Sequence, residues 1–279
     1  MTKHALAPCL ALTILGTVAV PANAADHTNL EGGLPITIED AYAIKQGGLE
    51  FQSYFQYDRT RRDRKGPDRF TVVPRLEYGA FQNFQIAVEA PYRLGNASNA
   101  DQGDFRTQAF YNFNTEGLVL PAFAVAAGVT QPYGPGHGGT ETELKFLATK
   151  SLGPLDPNGS TPFSYVPRQL HFNASWFHNY NPLTGMDAER RDRYRVGVGY
   201  SQPVTNDLVL VADVYRETDR ERGRATNLAE IGARYIVTPQ TVVVGSVGVG
   251  FGGDRSQDFR AVVGFQHTLS YPYSFDPPR

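Results

Sequence analysis

The chain has 279 residues, a net charge of −2, 19% charged and 12% aromatic residues, and 28 glycines. The near-neutral balance excludes the basic footprint of a nucleic-acid binder, and the length fits one large β-domain or two small ones. The mean hydropathy of −0.35 does not exclude a membrane barrel, whose polar lumen dilutes its greasy outside.

Lys3 and His4 form a short basic start, Ala5 to Val20 is mostly apolar, Pro21 breaks the run, and Ala22-Asn23-Ala24 fits a small-residue cleavage site. Residues 1–24 are therefore expected to be a secretory signal peptide cut after Ala24. The one cysteine, Cys9, lies inside it, so the mature chain is expected to have no disulfide and no thiol chemistry. Beyond it no apolar run reaches about 18 residues, the length of a helix span. Residues 25–48 contain LPITIEDAY and KQGG and are expected to form an irregular or partly helical lead-in on the periplasmic side.

From Leu49 the chain alternates. A strand sends successive side chains to opposite faces. Leu49, Phe51, Ser53, Phe55 and Tyr57 take one parity against Glu50, Gln52, Tyr54 and Gln56. After the charge run Asp58 to Asp68, a loop on charge patterning or else an anion or lipopolysaccharide site, comes RFTVVPRLEYGAFQNFQIAVEAPYR. Here Phe70, Val72, Pro74, Leu76 and Tyr78, then Phe84, Ile86, Val88, Ala90 and Tyr92, form greasy faces with aromatic ends. Arg69, Thr71, Arg75 and Glu77, then Gln85, Glu89 and Arg93, oppose them. Segments of about nine residues with this pattern describe a transmembrane hairpin.

The same pattern continues. Phe105 to Phe113 sets Phe105, Ala109 and Tyr111 against Arg106, Gln108 and Asn112. Val119 to Val129 sets large residues against Ala122, Ala124, Ala126 and Gly128, small inward positions that leave room or accept bulky neighbours. Gly134 to Gly139 lacks the lysine and spacing of a phosphate loop and reads as an outer loop. Leu144 and Phe146 oppose Glu143 and Lys145; Leu170, Phe172 and Trp176 oppose His171, Asn173 and Ser175; Tyr194, Val196 and Val198 oppose Arg193 and Arg195. Leu208, Leu210, Ala212 and Val214 face outward, although Val209, Val211 and Tyr215 blur that strand. Ile231, Ala233 and Tyr235 oppose Glu230 and Arg234; Val243, Val247 and Val249 follow; Phe259, Val263 and Phe265 oppose Arg260 and Gln266.

The expected fold class is all-β: an antiparallel transmembrane β-barrel of about twelve strands over 49–271, with short periplasmic turns, longer extracellular loops and a C-terminal tail at 272–279. Pro74, Pro91 and Pro121 sit in strand runs and predict bulges or strand ends. Gly153 to Arg168 is long for a periplasmic turn. LPITIEDAYAIKQGGLEFQ, the glycine-turn hairpins and the closing DFRAVVGFQHTLSY resemble outer-membrane channels of the phenol-degradation (MetA pathway) type, over roughly 34–271. That resemblance implies a β-barrel pore suggested to pass small compounds, aromatic ones among the candidates.

The candidate lumen lining is Glu50, Arg69, Arg75, Glu77, Glu89, Arg106, Glu143, Lys145, Arg193, Arg195, Glu230, Arg234 and Arg260, either a polar path or ion pairs that brace the wall. His171 and Ser175 share the polar parity but lie two pleats, roughly 13 Å, apart, too far for proton transfer. No metal-site spacing is present. The expectation is a passive channel, not an enzyme, with no cofactor, no nucleic-acid partner, contact with outer-membrane lipids and a small solute, and oligomeric state left open. A structural or adhesive barrel acting through its loops is the alternative, and a lipid hydrolase the minor one.

Overall fold

The computed structural model describes residues 29–61, 68–94, 103–133, 139–153, 168–184, 189–220, 223–253 and 257–270. The expected signal peptide, the tail, most of the Gly153–Arg168 connection and the centres of the charged and glycine-rich loops lie outside these residues. The strands are β1 (Leu49–Thr60), β2 (Arg69–Phe81), β3 (Phe84–Glu89), β4 (Tyr92–Leu94), β5 (Gly103–Asn112), β6 (Ala122–Tyr133), β7 (Glu141–Ser151), β8 (Gln169–Asn179), β9 (Asp192–Pro203), β10 (Leu208–Thr218), β11 (Ala225–Thr238), β12 (Thr241–Gly250) and β13 (Gln257–Ser270). Apart from β3 and β4, each pairs antiparallel with its chain neighbours, and β1 pairs with β13 to close the sheet. β3 and β4 are two halves of one wall strand, in a single register with β2 and β5. The result is a closed barrel of twelve strands.

Pro91 lies at that interruption and, like Pro74 opposite Ala90, has no N–H for the ladder. Pro121 lies just before β6. Pro74, by contrast, sits inside β2 without any shift of register against β1; its carbonyl still accepts from Ala90 N at 3.0 Å. A proline in a ladder here costs a donor, not a bulge.

The alternating parity is realised all round the wall. Leu76, Tyr78, Ile86, Val88, Leu144, Trp176, Val198, Leu210, Ile231, Val247 and Val263 are exposed on the outside. Aromatic residues band both ends of this face. Near the end where β1 begins and β13 finishes (the near end), Phe81 packs against Phe84 at 5.9 Å, and Tyr111 meets Phe113 edge-to-face at 5.5 Å. Toward the far end, Tyr57 stacks on Phe70 at 4.9 Å and on Phe259 at 6.3 Å.

The inside holds the main departure from the sequence reading. Residues 29–48, expected beneath the barrel and partly helical, run inside it and contain no helix. Leu34, Ile36 and Ile38 alternate in the LPITI stretch, and all three are at most 1% exposed, as is Leu30. Leu30 and Ile36 pack on Val209 and Val211, Leu34 on Val242 and Val244, and Ile38 on Tyr215 and Leu228. Ala41 packs on Ala122, Ala124, Ala126, Phe110 and Leu147. The small inward residues of β6 therefore accept this segment. Burying those four aliphatic side chains contributes about 1.5–3 kcal/mol each. At the exit, Gly79 of β2 leaves no room for a side chain: a Cβ there would lie 2.1 Å from Lys45 O.

Candidate functional site

The inner segment (29–48) carries no sheet ladder of its own, so its backbone groups need other partners. The wall supplies them strand by strand. Arg234 of β11 donates to Leu34 O at 2.9 Å and Ser246 of β12 to Pro35 O at 2.6 Å. Thr37 N and Oγ1 donate to Glu230 of β11 at 3.2 and 2.8 Å, and Ile38 N to Asp213 of β10 at 3.0 Å. Asn173 of β8 grips the Glu39 peptide from both sides, accepting from its N–H at 2.9 Å and donating to its carbonyl at 2.8 Å. Ala41 N donates to Thr149 of β7 at 2.9 Å, Asn112 of β5 donates to Ala41 O at 2.6 Å, and Ile44 N donates to Gln85 of β3 at 2.7 Å. The segment thus travels round the inner wall from β12 to β2.

Ion pairs add to this belt. Lys145 Nζ lies 3.1 Å from Glu39. Arg75 contacts Glu77 and lies 3.6 Å from Glu31, and it donates to Gly32 O at 3.3 Å. Glu77 accepts from Gln52 at 3.0 Å, and Glu50 accepts from Gln266 at 2.6 Å. The space left among Asn29, Glu31, Ala43, Ile44, Lys45, Glu50 and Gln266 is about 30 Å³, room for a single water by volume. Tyr42 Oη donates to Glu116 at 3.0 Å, and Glu116 also accepts from Lys150 Nζ and from Ser151 N and Oγ. Partial burial opposes ionisation of Glu116, but the Lys150 and Ser151 hydrogen bonds outweigh it and hold its carboxyl below the usual glutamate range.

Toward the far end the lumen is ringed by charge. Arg193 bonds Glu141 at 2.6 and 2.8 Å and Glu217 at 2.5 Å, and Arg195 bonds Glu217 at 2.7 Å. Both guanidiniums lie over Phe177, at 4.1 and 5.4 Å from its ring centre. Arg106 bonds Glu89 at 3.1 Å and approaches Asp104, which also pairs with Arg93 at 2.9 Å. Arg260 pairs with Asp58 at 2.8 Å and donates to Tyr215 Oη at 2.8 Å. Arg106 keeps 44% of its side-chain surface open.

The candidate lining residues therefore divide by height. Glu50, Arg75, Glu77, Lys145, Glu230 and Arg234 are buried against the inner segment or its supports. Glu89, Glu143, Arg106, Arg193, Arg195 and Arg260 belong to the charged ring above it. Arg69 is exposed at the far rim, opposite Asp58 in the ladder. Sequence reasoning missed Glu31, Glu39, Asp213, Asn173, Thr149, Gln85 and Ser246 as partners inside the lumen. A signal was present: Val209 and Val211 of β10 and Val242 and Val244 of β12, the two strands that flank β11, are apolar on the inward parity, which a water-filled lumen does not call for.

No protein-family model matches the chain, and no curated protein matches it. Solved structures do. The COG4313 outer membrane channel from Pseudomonas putida F1 is similar over 82% of this chain and 98% of its own, with a TM-score of 0.59 and 12% identity. The NanC porin is similar over 79% and 100%, with a TM-score of 0.51 and 11% identity. The KdgM porin in complex with disordered oligogalacturonate is similar over 79% and 99%, with a TM-score of 0.50 and 10% identity. At such identities the likeness speaks to the fold: a single closed barrel matched over nearly the whole length of each neighbour.

Proposed function

We propose that the chain is an outer-membrane β-barrel channel for passive passage of small solutes, and that its inner segment sets whether the lumen conducts. The observation that carries this reading is how the lumen is closed. The filler is a separate stretch of chain, held up to Ile44 by wall side chains and not by a sheet ladder, so that part can leave without breaking a backbone hydrogen bond between wall strands. The apolar outer face and its two aromatic bands suit a bilayer crossed by tilted strands. The amino-terminal basic-apolar-small pattern supports export with cleavage near Ala24. In that orientation the near end, with its two-residue turn at Gln82–Asn83, lies in the periplasm.

The solute class follows from the ring above the segment. Its cations and anions alternate and pair, and the half-open Arg106 offers a fixed positive charge to a passing anion. Small carboxylates therefore fit the lining, and the resemblance to phenol-degradation channels extends that to aromatic acids. The test is conductance in planar bilayers of the full chain and of a variant lacking residues 29–41, with salt gradients of chloride and then benzoate. Small or rare steps from the full chain and larger, steadier ones from the deletion are expected. A folded deletion variant without conductance steps refutes the channel reading and leaves a structural barrel.

A further inference from the structure

Asp213 and Glu230 face each other across β10 and β11 in direct register, and both are buried. One oxygen of each is engaged: Asp213 Oδ2 accepts from Ile38 N, and Glu230 Oε2 accepts from Thr37 N and Oγ1. The other oxygens, Asp213 Oδ1 and Glu230 Oε1, are buried without a hydrogen-bond partner. Consecutive amides of the inner segment thus rest on two adjacent carboxylates. Glycine lies on either side of the pair: Gly199 opposite Asp213 and Gly248 opposite Glu230. A Cβ on Gly199 would come 2.8 Å from Ile38 Cγ2, and one on Gly248 would come 2.9 Å from Glu230 Cγ. The notch is cut to bring the segment onto these two acids.

The charged groups around the notch are committed elsewhere. Arg260 of β13 pairs with Asp58 of β1 and touches Tyr215 Oη and Thr37 Oγ1. Arg234, further along β11, donates to Leu34 O and to Gln266. Glu39 of the segment faces Lys145 of β7, and Asp40 accepts from Leu30 N and Tyr42 N. Glu217 of β10 is held by Arg193 and Arg195 of β9. His171 of β8 is hydrogen-bonded between Thr149 and Ser201. Among the described residues neither Asp213 nor Glu230 has an ion-pair partner.

We propose that Asp213 and Glu230 together bind one proton while the inner segment is docked, and that undocking the segment releases it. This deepens the channel reading above and rests on it for its functional consequence. Two ionised carboxylates side by side, out of water and with no direct ion-pair partner, are costlier than one acid hydrogen-bonded to one carboxylate, even with Arg260 nearby across Thr37 Oγ1. The two unpartnered oxygens are where such a proton bridges. Once the segment leaves, water reaches the pair and the shared proton is released. The docked state holds more protons than the undocked one. Low pH therefore favours docking, and rising pH favours opening, by up to about tenfold per pH unit for one proton.

The experiment follows the full chain between about pH 5 and pH 8 by two readouts. One is open probability in planar bilayers; the other is hydrogen exchange of the Thr37 and Ile38 amides in detergent, corrected for intrinsic exchange. Wild type is expected to open and exchange more as pH rises, approaching tenfold per unit. Asp213→Asn and Glu230→Gln each keep the shape and remove the shared titration, so each should lose most of that slope; either variant that folds suffices. A flat wild type in exchange overturns the proposal, as does an unchanged slope in both variants. A sloping exchange response with no conductance at any pH upholds the proton site and defeats the channel reading.

Discussion

Removing Lys145 should unseat the inner segment while leaving the wall intact. Its Nζ lies 3.1 Å from Glu39 Oε2 and 4.0 Å from Glu143 Oε1, and the Lys145 and Glu39 side chains are 9% and 5% exposed. Glu39 Oε1 is already buried without a hydrogen-bond partner, so Lys145→Met leaves a buried carboxylate with no direct ion-pair partner. Breaking a buried pair from one side costs about 3–5 kcal/mol. The chain escapes that cost by letting the segment go, because Glu39 belongs to the segment and Lys145 to the wall. At about 1.4 kcal/mol per tenfold, docking should weaken by two to three and a half orders of magnitude. Limited proteolysis and hydrogen exchange over residues 29–48 read the segment, and heat-dependent mobility on gels reads the barrel. Glu39→Gln combined with Lys145→Met removes the stranded charge and should restore much of the protection. If Lys145→Met keeps wild-type protection over 29–48, or if the double variant is no better than the single, the ion pair is not what seats the segment.

Three further outcomes are expected. Val88→Arg, on the outer face, should cost about 2–4 kcal/mol if it lies at the bilayer midplane, and Glu89→Gln, on the inner face, less; equal assembly yields into lipid vesicles would contradict a lipid-facing Val88. Arg106→Ala should lower anion preference in reversal-potential measurements, whereas Arg75→Ala, whose guanidinium is closed in by Glu77, Glu31 and Gly32 O, should raise exchange in 29–48 instead. Because the Glu116 carboxyl is held below its ordinary value, its grip on Tyr42, Lys150 and Ser151 is fully present above the unfolded value of about 4.3 and is lost as pH falls through the lower folded one. Glu116→Gln should remove that acid-sensitive step, read as fluorescence or exchange at Tyr42.

The wall was legible because its signal is local. In β2, alternating Leu76 and Tyr78 against Arg75 and Glu77 needs only the two-residue period of a strand, and the structure places each on the expected face. The same rule left β10 ambiguous, since Val209, Val211 and Tyr215 are apolar on the inward parity. The ambiguity had a physical cause: those three side chains cover Leu30, Ile36 and Ile38. The position of the inner segment was not legible, because nothing local encodes it. Thr37 meets Glu230 across 193 positions and Ala41 meets Thr149 across 108, through single side-chain hydrogen bonds that leave no periodic trace. LPITI does alternate like a strand, yet its wall partners are side chains of β10 to β13 and not a neighbouring backbone. Reading it as an irregular lead-in captured its backbone and missed its place.

The two readings of the charged lining, a brace and a path, turn out to apply at different heights, and the chemistry of each height says why. In the far half, Arg193 joins Glu141 of β7 to Glu217 of β10 while stacking on Phe177 of β8. One planar guanidinium with several donors ties three wall strands to its own. Such a group holds the wall's shape with or without a filler. In the near half, the wall side chains reach inward to a backbone that is not part of the sheet, and their hydrogen bonds are lost only if that backbone moves. Most of those wall partners are neutral (Asn173, Thr149, Gln85, Asn112 and Ser246), and water replaces a neutral hydrogen bond at a net cost of about 0.5–1.5 kcal/mol each. The charged ones, Arg234, Arg75, Lys145 with Glu39 and Asp213 with Glu230, are the contacts whose energy depends most on whether water is present. On the channel reading proposed above, a barrel built this way empties its near half without loosening its far half.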